Sequence, residues 1–209
     1  MNFEQIAKKR RAINFFDEKK QVSEEQLKQL VELAAKTPSS FNLQPWNLMV
    51  LKSPEEKQKL KPLAWDQPKV VEAPVVLIVL ADKATSSKGH PVFEKNWDQM
   101  LASKAMKAEQ REWFENATQS LYNWSPDANL AFAVKNAGFF AMSLMYAATS
   151  LGLESHPMDG FDHEAVRREF KIPDNFWIPA LLAVGYKKPD MELAPPKWRK
   201  TYDEILISF

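Results

Sequence analysis

Four short polar clusters hold the side chains that could do chemistry: "KKRRAIN" (Lys8–Asn14), "PSSFNLQPW" (Pro38–Trp46), "HPMDGF" (His156–Phe161) and "PPKWRK" (Pro195–Lys200). Guanidinium forks and a lysine point charge suit the dense oxygens of a phosphate. Arg10 and Arg11 near one end of the chain, with Lys197 and Arg199 near the other, could converge on one such group. Charge runs of this kind are also commonly plain solvated surface. Their neighbours here are Ala-Ile, Pro and Trp rather than acidic partners. The second cluster is uncharged. Ser39, Ser40, Asn42 and Gln44 offer neutral donors and acceptors, which fit a heteroaromatic edge of alternating C=O and N–H better than a metal or a carboxylate. Pro38 and Pro45 stiffen the backbone and pre-aim those groups. The alternative is a self-satisfied polar turn closing the preceding helix.

Other chemistries lack their residues. There is no cysteine, which removes disulfides, thiolate metal sites and cysteine nucleophiles. The three histidines (His90, His156, His163) do not stand at metal-ligand spacing. No Ser-His-Asp set, paired carboxylates, Gly-x-Gly-x-x-Gly or Walker loop is present among only 5 glycines. With 28 basic and 27 acidic residues the net charge is +1, so no global field recruits nucleic acid or an anionic membrane. The opening "MNFEQIAKKRRAINFF" lacks the apolar core of a secretory leader, and the chain reads as cytoplasmic. The apolar stretch Ala137–Ala148 is too short to span a bilayer and fits a core helix.

The elements that must position the clusters follow from capping signals and periodicity. Asn2 with Gln5, Ser23-Glu-Glu-Gln26 and Ser53-Pro-Glu-Glu56 are helix starts, and Leu27, Leu30, Val31 and Ala34 form one apolar stripe. "NLMVLK" after the polar loop reads as a strand, and "PVVLIVLAD" (Pro74–Asp82) as one buried on both faces. Pro91–Asn123 is charged, aromatic and helix-compatible. Ser125-Pro126 opens a long helix that Gly152 closes. That helix is apolar around most of its circumference, so it should be buried on all sides, at the centre of the fold or of a dimer interface. "IPALLAVGY" (Ile178–Tyr186) is the third expected strand, and the chain from about 187 reads as an arm. The order is mixed α and β without a doubly wound rhythm, in a single domain over 1–209.

Taken together, "RRAIN", "TPSSFNLQPWNLMVL", "AWDQPKVVEAPVVLIVLAD", "GLESHPMDGF" and the late "KWRK" resemble the FMN-dependent nitroreductase family, block by block from about Arg10 to Arg199. The resemblance implies an α+β fold with a mixed, mainly antiparallel sheet surrounded by helices. It further implies a homodimer with the long helix in its core, the C-terminal arm reaching the partner subunit, and FMN in clefts built by both chains. On this resemblance Arg10, Lys197 and Arg199 hold the FMN phosphate, and Arg11, Ala12 and Asn14 run along the phosphate, ribityl and pyrimidine side. Ala12 stands where the family often has serine and would contribute backbone only. Pro38, Ser39, Ser40 and Asn42 come from the partner, and Gln67 and Lys69 reach the pyrimidine edge. The Asp159 backbone N–H faces the ring nitrogen N5, and Gly160 permits close approach.

The implied reaction is ping-pong: NADH or NADPH gives a hydride to N5 and leaves, then a nitroaromatic or quinone-like small molecule takes its place. The absence of a protein nucleophile suits a chain whose cofactor does the chemistry. Metabolite dehydrogenation or reductive dehalogenation on the same fold is the nearest alternative. A non-catalytic module gripping nucleic acid through the basic clusters is the more distant one.

Overall fold

Each of the three capping boxes starts a helix. Asn2, Ser23 and Ser53 accept the N–H three residues on, and Gln5, Gln26 and Glu56 return a side-chain oxygen to the cap N–H. In the computed structural model, which describes residues 1–208, these begin α1 (Phe3–Lys9), α2 (Glu24–Ala34) and, after β1 (Trp46–Leu51), α3 (Pro54–Leu63). A one-turn α4 (Lys69–Glu72) leads into β2 (Val75–Asp82). Then come α5 (Pro91–Ala102), α6 (Arg111–Tyr122) and the long α7 (Pro126–Ser150). The chain continues through β3 (Glu154–Met158), α8 (His163–Glu169), β4 (Phe176–Gly185) and a short α9 (Tyr202–Ile205).

The four strands form one antiparallel sheet in the order β1-β2-β4-β3. All of β2 is buried. Its alternating side chains divide two cores: Val75, Leu77, Val79 and Ala81 pack with α2, α5, α6 and α7, while Val76, Ile78 and Leu80 pack with α3, α4 and α8. Each large side chain so buried contributes about 1.5–3 kcal/mol relative to exposure. The architecture is thus helices, sheet, helices, and the two basic chain ends meet where the β3 edge runs.

Two expectations need correction. The sequence reading missed β3, because "ESHPM" is polar and carries Pro157; a proline fits a strand only where its missing N–H costs nothing, and β3 is an edge strand. The expected third strand is therefore the fourth, and it begins at Phe176 rather than Ile178. Within one chain α7 is covered on one side only. Phe132, Ala133, Asn136, Ala137, Phe140 and Leu144 enter the core, but Ala131, Lys135, Gly138 and Phe139 are exposed, Phe139 by 51%. The helix has the length and composition of a membrane span, yet one face is locked against the sheet and α2. On the other side Gly138 and Phe139 are bare, while Leu130 and Met142 are half-buried.

Candidate functional site

The segment after α1 is laid along β3 and then pinned by the C-terminal arm. Ala12 bridges Ser155 in parallel, the Ile13 N–H donates to the Ser155 carbonyl (3.3 Å), and His156 Nδ1 donates to the Ile13 carbonyl (2.7 Å). Phe16 bridges Lys187, the Lys188 N–H donates to the Phe15 carbonyl, and Arg11 Nη2 donates to the Ala194 carbonyl at 2.7 Å. The two chain ends, some 180 positions apart, are tied together by these bonds. They enclose a cavity of about 520 Å³ whose walls include Arg10, Arg11, Ala12, Asn14, His156, Lys197 and Arg199. Four permanent cations face one carboxylate, Glu192. Among the described residues, the side chains of Arg10 and Lys197 have no hydrogen-bond partner. Nearby Glu154 is half-buried, and desolvation raises its carboxyl above the usual range, with Lys9, Lys187 and Arg10 offsetting part of that.

Gln67, Lys69, Asp159 and Gly160 do not line that cavity; they form a separate group where the start of α4 meets the turn after β3. Gln67 Nε2 donates to the Gly160 carbonyl (2.9 Å) and the Ala64 carbonyl (3.0 Å), and Gln67 Oε1 accepts from Lys69 Nζ (3.1 Å). The Asp162 N–H adds a bond to the Leu63 carbonyl. Lys69 is 9% exposed, and burial pushes its ammonium below the ordinary lysine range while Glu72 pulls the other way. In the described network the Asp159 N–H has no acceptor, and Asp159 is solvent-exposed. A Cβ at Gly160 would lie 2.7 Å from Trp65 Cε3, so the exposed indole would have to move to admit one. Trp65 and Asp66 take left-handed backbone conformations (φ 54° and 53°), a strained arrangement that leaves the indole against Gly160 and 72% exposed.

The polar loop differs in kind. Ser39 Oγ accepts from the Gln44 N–H (2.9 Å), Gln44 Nε2 donates to Asn42 Oδ1 (3.3 Å), and Asn42 Nδ2 donates to Asn96 Oδ1 (3.3 Å). Buried Asn96 then donates to the Phe41 carbonyl at 2.7 Å. On the other side Ser40 is tied to α7: its N–H donates to Asn136 Oδ1 and its Oγ accepts from Lys135 Nζ. Phe41, Asn42 and Gln44 all have positive φ, held by these bonds and by Phe41 edge-on to Phe114. The Asn42 and Gln44 amides are thus engaged within the chain instead of standing free. Within one chain Pro38–Asn42 does not line the cationic cavity. It sits beside the bare face of α7.

The sequence reading passed over two residues at the site. His156 lay inside a quoted cluster, with no signal of its role until β3 placed it. Trp65 preceded Gln67 in the sequence, but its position over Gly160 depends on the left-handed backbone.

Known proteins share this fold. The nitroreductase family model matches residues 7–186. An NADH dehydrogenase of Thermus thermophilus is 34% identical over 181 residues, 86% of this chain and 84% of that protein. The crystal structure of ydfN, a candidate nitroreductase of Bacillus subtilis, superposes with a TM-score of 0.90 at 29% identity, covering 99% of this chain and 98% of that one. A candidate nitroreductase of Exiguobacterium sibiricum, solved in complex with FMN, gives a TM-score of 0.86 at 27% identity over 100% and 98% of the two chains.

Proposed function

Because the chain belongs to the nitroreductase family, we propose that it is an FMN-dependent NAD(P)H oxidoreductase whose cofactor lies along the cationic cavity. One observation carries this reading: four cations from the two ends of the chain meet around a cavity of about 520 Å³, within the usual range for small-molecule sites. Such a charge surplus calls for an anionic ligand, and a phosphomonoester dianion supplies the complement. The other end of FMN needs an apolar-faced, amide-edged slot. Lys69, Gln67, the free Asp159 N–H and the Cβ-less Gly160 fit it.

In this reading Arg10, Lys197 and Arg199 grip the phosphate. Arg11 acts mainly by pinning the arm through Ala194, so that Lys197 and Arg199 stay in place. Gln67 positions the Asp159–Gly160 turn, since its amide bonds Gly160 directly. Lys69 places an ammonium where negative charge would gather on the pyrimidine rim, an electrostatic role. Bound FMN supplies the two-electron exchange between NAD(P)H and a nitroaromatic or quinone-like acceptor. Trp65 offers an exposed aromatic face beside the turn, against which a planar acceptor can lie.

The site is completed by a second copy of the chain. Ser39 and Ser40 stand beside the bare stripe of α7, and a homodimer closing on that stripe brings the loop of one protomer to the cavity of the other. The arm is the further segment expected to reach across.

The test is the absorption spectrum of the purified protein. A yellow protein that retains FMN, bleaches on adding NADH or NADPH, and regains colour with a nitroaromatic or quinone supports the reading. Colour that persists with both nucleotides points instead to metabolite dehydrogenation or dehalogenation. A colourless protein that ignores added FMN overturns the proposal.

A further inference from the structure

His156 belongs to none of the roles above, yet it lines the cationic cavity. A carbonyl can only accept, so its 2.7 Å bond to the Ile13 carbonyl fixes the ring proton on Nδ1. That leaves Nε2 as a lone pair in a neutral ring. A lone pair is the wrong partner for a phosphate oxygen and the right one for a proton. Lys69 from α4 and Lys197 from the arm act on the ring. Arg10, Arg11, Arg199 and Glu192 line the same cavity, and Glu154 precedes it on β3.

We infer that His156 is a cofactor-binding residue that takes up a proton when the FMN phosphate enters the cavity, so that flavin binding and protonation of this imidazole are coupled. The inference rests on the FMN reading above. In the empty cavity, burial first and then Lys69 and Lys197 hold the imidazole below the ordinary histidine range, with the Ile13 carbonyl offsetting part. A dianion arriving among these cations reverses the local field, and Nε2–H becomes a charge-assisted donor. The sign follows. The pKa is higher in the occupied state than in the empty one, so the contribution to FMN affinity is full below the empty-state pKa. It is lost as pH rises through the occupied-state pKa. Each unit by which occupation raises that pKa is tenfold in affinity on the acid side.

The experiment is calorimetric titration of the apo-protein with FMN near pH 6.5, in buffers of different ionisation enthalpy, for the wild type and His156→Asn. Asparagine keeps an N–H donor toward the Ile13 carbonyl but cannot titrate. The FMN phosphate has its own second ionisation near pH 6, but it is common to both proteins and cancels in their difference. The wild type should take up as much as about one more proton than the variant. It should also bind FMN more tightly at pH 6.5, by roughly tenfold for each unit by which occupation raises the imidazole pKa above that pH, an advantage lost as pH rises through the occupied-state pKa. Equal proton counts and parallel pH profiles overturn the inference. Should the variant fail to fold, the His156 ring resonances of the wild type decide. Conversion to the doubly protonated ring on adding FMN supports coupling, and an unchanged neutral tautomer overturns it. No binding of FMN to the folded wild type would instead sink the functional reading on which this one rests.

Discussion

The polar loop at Pro38–Trp46 and the cationic cavity at the chain ends differ in one respect that orders the whole site. In the loop almost every polar group has a partner inside the chain, running Gln44 to Asn42 to Asn96 to the Phe41 carbonyl. In the cavity, among the described residues, the Arg10 and Lys197 side chains have none, and four cations face a single carboxylate. An amide-rich loop looks like a ligand clamp and is first of all a clamp on itself. Two plain charge runs look like solvated surface and meet around one cavity. Like charges gathered by distant backbone bonds are the feature on which the proposed site rests, more than polar composition.

The largest effect expected from breaking that contrast is on the cavity. Replacing Arg10 and Lys197 together by alanine removes two charge-assisted contacts, about 1.5–3 kcal/mol each. The FMN dissociation constant should rise roughly 100-fold or more, read by quenching of flavin fluorescence, with riboflavin binding little changed. Equal losses for FMN and riboflavin would shift the weight back to the loop and the ring-side wall. Next in size, Phe139→Asp puts a charge on the bare face of α7 and should abolish the proposed dimer in sedimentation. FMN affinity should fall with it, by about 2–3 kcal/mol, as expected of a central interface aromatic. A flavin-loaded monomer would show that one chain suffices.

On the loop the expected loss is in stability. Asn96→Ala deprives the Phe41 carbonyl and Asn42 of their partner and should cost about 2 kcal/mol in denaturant unfolding. An unchanged midpoint would mean the amide chain holds nothing. Gly160→Ala should be milder. Trp65 is exposed and can swing from the new Cβ, so unfolding should shift by less than about 1 kcal/mol while the acceptor KM changes. A large drop in stability would show that the indole cannot move. The smallest effect concerns Arg111, whose hydrogen bonds to Glu94 and Glu115 are the first cause holding both carboxyls below the ordinary glutamate range. A depressed carboxylate contributes stability above its unfolded pKa, about 4.3, and loses it as pH falls through the folded value. The wild type's advantage over Arg111→Met should therefore be about 1 kcal/mol or less at neutral pH and shrink in acid. A gap that stays constant down to pH 3 would make it packing over Phe93 and Trp97 instead.

Local chemistry was legible wherever a signal is complete within a few residues. The capping boxes at Asn2, Ser23 and Ser53, the proline-led start of α7 and its end near Gly152 (φ 76°) follow from neighbours along the chain. So do the doubly buried β2, whose apolar run needs no partner to be recognised, and the phosphate-suited residue types at both ends. Three things depended on tertiary structure: β3, because an edge strand bearing a proline acquires its identity from β4; the bare face of α7, because a helix apolar all round does not say which side the sheet will cover; and the roles of His156, Trp65 and Gln67, because each is set by a group far away in sequence. Sequence fixes what a residue can donate, accept or bury, whereas its partner is fixed only when distant segments meet.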